Sequence, residues 1–278
     1  MLIRPGILCR GMVRIPAKTI PVGDVSLAYH EYGSGYPVLF INGLASAMDT
    51  WNPPVLEKIS RYFRVIVFDN RGTGYSGFSG EPFSVSLFCR DAAGLMDALG
   101  ISRAHVLGLS MGACIAQELA LEFPEKVDRL ILVSGDCGGA EAVRMQPGIL
   151  ERLTDKSGSM QDVAGRMFPL LFTAPWLATH DPFRYCPEVH ETTCAENISR
   201  QAAAFFAWPG SFSRLGTIRS RTLVLTGDSD LVVPPHNAEI LSSRIPGAGL
   251  VTFHDAGHGL MYQCPDRFCE TVLAFLEG

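Results

Sequence analysis

The segment Gly108-Leu109-Ser110-Met111-Gly112 sets a hydroxyl between glycines two positions away on either side. It follows an apolar, β-rich run at 105–109 and precedes a helical pattern at 111–123. A serine hydroxyl is a weak nucleophile until it is exposed and given a neighbouring base. A sharp turn from strand into helix provides the exposure, and small residues beside it let the two backbones approach. The helix that follows aims its first amides and its positive dipole end at the same spot. The chemistry such a turn serves is nucleophilic attack on a carbonyl, and Ser110 is the candidate nucleophile.

A base and an orienting acid are both available downstream. His258 lies between Gly257 and Gly259 in Asp255-Ala256-Gly257-His258-Gly259, just past the run 250–254. Flanking glycines let a loop carry an imidazole close to other backbone. Placement and flanking together favour His258 over His30, His105, His180, His190, His236 and His254. Of these, His30 and His105 lie in or beside strands, His236 starts a helix, and His254 belongs to a strand end. A carboxylate behind the imidazole would hold its tautomer and stabilise its cation. Gly227-Asp228-Ser229-Asp230 follows the run 222–226 and offers Asp228 and Asp230, two residues apart.

The elements that must position these groups alternate along the chain. Strands are expected at 25–31, 37–41, 64–68, 105–109, 129–133, 222–226 and 250–254, and helices at 85–99, 111–123, 237–245 and 266–276. Several of the strands are continuous apolar runs, as strands covered on both faces are. The expected fold class is therefore α/β, a mostly parallel central sheet with helices on both faces. The alternation lapses across 136–215, which holds bulky apolar residues and prolines but no clear strand. We read 136–215 as a helical cap inserted into a core built from 1–135 and 216–278.

Taken together, these segments resemble the α/β-hydrolase family over most of the chain. The order of nucleophile elbow, acid and late histidine is similar to the family's. Leu39-Phe40-Ile41-Asn42-Gly43-Leu44 resembles its oxyanion loop, with Asn42 where many members carry histidine. Asp69-Asn70-Arg71-Gly72-Thr73-Gly74-Tyr75-Ser76 resembles its conserved-pattern turn, in which Arg71 and Ser76 are expected to hold the turn together. The resemblance implies Asp230 as the acid, Asp228 as a turn residue, and Asp136, after the strand at 129–133, as a reserve acid. It implies an oxyanion hole from the backbone amides of Leu44 and Met111. Ala113 stands where a glycine is common, a modest change in helix–strand packing.

The implied activity is serine-dependent hydrolysis of a small-molecule carboxylic ester or lactone, in the branch of carboxylesterases, methyl esterases and enol-lactonases. It needs no cofactor and no metal. Carbon–carbon hydrolysis of a ring-cleavage product and cofactor-free perhydrolysis use the same triad. A ligand-binding protein on this scaffold is a further alternative. Serine at the elbow speaks against the dehalogenase and epoxide-hydrolase branches, which need aspartate there.

Composition narrows the partners. Of 278 residues, 47% are hydrophobic and 18% charged, enough for a sizeable core and too few charges for a disordered chain. The net charge of −5 and the lack of basic runs argue against nucleic acid. The longest apolar runs, such as 65–68 and 130–133, are strand-sized, far short of the roughly 20 residues of a membrane helix. The first 12 residues carry no signal-peptide pattern, and Met1 and Met12 are both candidate starts. The eight cysteines are scattered without a C-x-x-C pair, as free thiols in a reducing cytoplasm would be.

Overall fold

Residues 16–187 and 193–278 are described by a computed structural model. Met1, Met12, Cys9 and His190 lie outside the described residues. The strands are β1 (Lys18–Val22), β2 (Val25–Tyr32), β3 (Pro37–Ile41), β4 (Arg64–Phe68), β5 (Ala104–Leu109), β6 (Val127–Val133), β7 (Arg221–Gly227) and β8 (Gly249–Phe253). They form one eight-stranded sheet in the order β1-β2-β4-β3-β5-β6-β7-β8. From β4 onward neighbours are parallel, while β1–β2 and β2–β4 are antiparallel.

Strand alternation divides the core into two layers. On β3, Val38 and Phe40 face one side, and Leu39 and Ile41 the other. Leu39, Ile41, Ile66, Phe68 and Val106 pack with α2 (Val85–Ala98), α3 (Met111–Glu122) and α8 (His236–Arg244). Val38, Phe40, Val65, Val67 and Leu107 pack with α1 (Pro53–Ile59) and α10 (Pro265–Glu277). Each fully buried side chain of this size contributes about 1.5–3 kcal/mol. This explains why the inner strands read as unbroken apolar runs: both of their faces are covered.

Outside the inserted segment, one strand and two α-helices were not expected from the sequence: β1, α1 and the short α9 (Leu260–Gln263). β1 contains Pro21, which breaks a strand pattern; it is tolerated because β1 is an edge strand. Helix α1 opens on Pro53-Pro54, which reads as a turn, yet prolines fit the first helical positions where no amide partner is needed.

Between β6 and β7 the described chain has no strand but carries α4 (Ile149–Thr154), α5 (Met160–Leu171), α6 (Ala174–Thr179) and α7 (Ala195–Ala207). Its return path is anchored on α3, the helix that begins at the elbow. Buried Glu118 accepts from Trp208 Nε1 at 2.7 Å and from Arg214 at 2.5 and 2.8 Å. No helix among the described residues is long and apolar enough to cross a membrane.

The turn after β4 is held by a buried ion pair. Arg71, 2% exposed, donates to both oxygens of Asp91 on α2 at 2.5 and 2.6 Å, and to Asp24 at 3.2 Å. Burial raises the Asp91 carboxyl, and the Arg71 guanidinium opposes that rise. Ser76 Oγ accepts from the Ala28 amide and donates to the Asp69 carbonyl, closing the turn. Removing one partner of such a pair strands a buried charge. Arg71→Leu should therefore cost about 3–5 kcal/mol in urea unfolding, and the double change with Asp91→Leu should recover much of it. A loss under 1 kcal/mol in the single variant would contradict this reading.

Candidate active site

Ser110 caps the end of β5 with φ 57° and ψ −122°, a left-handed backbone rare for a residue with a side chain. Its neighbours make the bend feasible. A Cβ on Gly108 would lie 2.2 Å from the Gly112 carbonyl oxygen, and one on Gly112 would lie 2.1 Å from that of Ile41. The glycines of the motif are therefore required by backbone contact between β3, β5 and α3. Gly135 makes room for the methyl of Ala113, since a Cβ there would approach it to 2.4 Å.

His258 and Asp230 meet at the same edge of the sheet, beyond the C-terminal ends of β7 and β8. His258 Nδ1 lies 2.8 Å from Asp230 Oδ2. Asp230 Oδ1 accepts the amides of Val232 and Val233, both at 2.8 Å. The carboxylate side chain is fully buried and the imidazole 11% exposed. The His258 loop is fastened to the end of α5, where the Gly259 amide donates to the Leu171 carbonyl at 2.8 Å, and to α9, the short helix that follows the loop, where the Gly257 amide donates to Gln263 Oε1 at 2.8 Å. No hydrogen bond joins Ser110 Oγ to His258 among the described residues; such bonds are often long before substrate binds.

The other carboxylates are engaged elsewhere. Asp228 Oδ2 lies 2.6 Å from Nδ1 of His254, an exposed ring, and Oδ1 accepts from Ser229. Burial acts to raise Asp228, but its hydrogen bonds from His254 and Ser229 prevail and hold it below the ordinary carboxylate value. Asp136 accepts from the Gly138 amide at 2.8 Å and lies near Arg144 and Cys114, with burial pushing its carboxyl up. Of the remaining described histidines, His105 packs among Tyr36, Phe63 and Asp128, and His236 begins α8 beside Glu239.

The loop after β3 brings Leu44 up to the elbow. Gly43 touches Ser110, where an added Cβ would come within 3.0 Å of the serine Cβ. Neither the Leu44 nor the Met111 amide is donated to another group among the described residues. Asn42 donates to the Ala47 carbonyl at 2.7 Å, and its own carbonyl accepts from Asn70. Gln201, a residue with no motif to mark it, reaches this loop from α7 and accepts the Ala45 amide at 2.9 Å.

Asp69 ties this loop to the turn after β4, accepting the amides of Met48 at 2.6 Å and Tyr75 at 2.9 Å. Burial is the largest influence on its carboxyl and raises it from 3.8 to about 6 despite those two amides. The folded state thus binds the proton more tightly than the unfolded chain. The resulting stability is fully present below pH 3.8 and is lost as pH rises through about 6. Relative to Asp69→Asn, the natural chain should lose about 2 kcal/mol between pH 4 and 7 in urea unfolding. A pH-independent difference would exclude this.

A strand-bounded left-handed serine, a buried Asp–His pair past the last strands, and a loop with free amides beside the serine define an α/β-fold hydrolase. A profile of the alpha/beta hydrolase fold matches residues 36–169. A relative from Azorhizobium caulinodans, provisionally named carbamate hydrolase RutD, is 31% identical over 257 residues, covering 91% of this chain and 96% of the relative. The chain belongs to the α/β-hydrolase fold family. It is similar to the enol-lactonase of Burkholderia xenovorans LB400, with TM-score 0.81 and 26% identity over 94% of this chain and 100% of that one. It is also similar to a thermophilic esterase from Thermogutta terrifontis, with TM-score 0.80 and 25% identity over 95% of this chain and 98% of that one.

Proposed function

We propose that the chain is a serine hydrolase of small carboxylic esters or lactones, with Ser110, His258 and Asp230 as its triad. The observation that carries this is the buried His258–Asp230 contact at 2.8 Å, at the sheet edge where the elbow lifts Ser110. An ionised Asp230 only accepts hydrogen bonds, so the His258 proton resides on Nδ1 and the lone pair on Nε2. Nε2 takes the Ser110 proton as Oγ adds to the acyl carbon. The Leu44 and Met111 amides receive the developing oxyanion, at about 3–4 kcal/mol for such a donor.

The intermediate then expels the alkoxide, which leaves with the proton from His258. Water, activated by the same imidazole, hydrolyses the acyl-serine to carboxylic acid and free Ser110. From a lactone, acid and alcohol leave as one hydroxy acid. Residues 136–215 act as the cap that encloses the substrate over the core of 1–135 and 216–278. The Azorhizobium relative favours a second carbonyl class, carbamates, which the same acyl chemistry accommodates.

A fluorophosphonate probe tests the reading without knowledge of the substrate. Mass spectrometry should find one adduct, on Ser110. A folded chain with no adduct there would leave the non-catalytic, ligand-binding alternative. A panel of esters, lactones and carbamates of graded length then identifies the acyl class.

A further inference from the structure

The contact between Gln201 and the oxyanion loop has consequences for catalysis. Gln201 lies on α7, is fully buried, and is 156 residues from the backbone it binds. Its Oε1 accepts the Ala45 amide at 2.9 Å, and its Nε2 donates to Thr73 Oγ1 at 2.6 Å. The orientation of the side-chain amide follows from its partners. A backbone N–H can only donate, so the oxygen must face Ala45 and the nitrogen Thr73. One side chain of the inserted segment therefore joins the loop after β3 to the turn after β4.

Ala45 needs such a restraint. Its φ is 58°, a left-handed conformation in a residue that has a Cβ. Such residues persist only where their surroundings over-determine them, at a cost of about 1–3 kcal/mol. The restrained peptide, Leu44–Ala45, immediately follows the one that carries the Leu44 amide. Fixing the plane of the first restricts the direction of the second. One helical turn earlier, Asn197 donates to the Gly72 carbonyl at 3.0 Å and so also ties α7 to the core. It does not touch the oxyanion loop, and this makes it the natural control.

We infer that Gln201 is a positioning residue that aims the Leu44 amide at the oxyanion through its hydrogen bond to Ala45. This inference rests on the serine-hydrolase reading above. It makes the seating of α7 part of the catalytic geometry as well as of the substrate enclosure. A misplacement of about 1 Å in such a donor costs on the order of 100-fold in rate.

The test measures phosphonylation of Ser110 by a fluorophosphonate, resolved into its maximal rate and its half-saturating concentration. The phosphoryl oxygen of the probe occupies the oxyanion position, so an aimed amide accelerates the step. Gln201→Met keeps length and removes both hydrogen bonds. It should lower the maximal rate about 10- to 100-fold, with half-saturation changed less than about 2-fold. Asn197→Ala, which only loosens the helix, should leave the maximal rate within about 2-fold of the natural chain. If Gln201→Met does not fold, Thr73→Val frees the side-chain amide to turn and should give the same split at about 3- to 10-fold.

Equal rates for Gln201→Met and the natural chain would overturn the inference. So would equal losses in the Gln201 and Asn197 variants, which mark a purely structural tether. Failure of the natural chain to label at Ser110 would instead refute the hydrolase reading beneath it.

Discussion

Ser110→Ala should abolish fluorophosphonate labelling and reduce turnover by about 10⁶-fold while leaving the fold as stable as before, or slightly more so. The two halves of this expectation have separate origins. Alanine keeps the Cβ but offers no nucleophile, and neither Asp230 nor His258 can substitute for one. The residual rate would come from the oxyanion amides and substrate binding alone. Stability is spared because Ser110 Oγ makes no hydrogen bond among the described residues, so its removal leaves no partner unsatisfied.

The backbone at Ser110 carries the remaining strain. Its φ of 57° is costly for any residue with a Cβ, alanine included. Ser110→Gly should therefore remove activity equally and raise the melting temperature above that of Ser110→Ala. Thermal melts and labelling of the three proteins together separate the chemistry from the strain. Turnover near the natural level in Ser110→Ala would remove Ser110 from the mechanism. A melting temperature for Ser110→Gly below that of Ser110→Ala would show that the turn is not strained.

The features legible in the sequence were those written in short segments. The elbow could be read because Gly108 and Gly112 are imposed by backbone collisions that leave no alternative residue. The sheet could be read because inner strands buried on both faces become apolar runs. Pro21 and the Pro53-Pro54 pair hid β1 and α1, since whether a proline breaks an element depends on edge position and on helix start, both set by the tertiary fold. Gln201 could not have been found, because its partner Ala45 is 156 residues away and a buried glutamine on a helix has no periodic signal. Spacing alone was also unable to rank Asp228 against Asp230. The structure separates them by their partners: Asp228 meets the exposed ring of His254, and Asp230 meets His258.

That separation makes a sharp prediction. Asp230→Asn should lower the rate of Ser110 phosphonylation by about 10⁴-fold, whereas Asp228→Asn should change it less than about 2-fold. The argument depends on which way the new amide must point. Oδ1 of Asp230 accepts two backbone amides, from Val232 and Val233. In the asparagine variant the oxygen must stay on that side, because an NH₂ there would face two donors. The NH₂ is then directed at His258 Nδ1, which must accept. The imidazole is forced to carry its proton on Nε2, where the Ser110 proton would have to go. The fold and the imidazole position survive, and the base is lost through its tautomer. At Asp228 the same change alters only a surface contact. The hydrogen bond to Asp228 raises the pKa of His254, so that pair is strongest below the raised value and weakens as pH climbs through it, away from the serine. Reversed ranking of the two variants would transfer the acid to Asp228. Two mild effects would transfer it to Asp136, whose carboxylate would then have to leave the Gly138 amide to reach the imidazole.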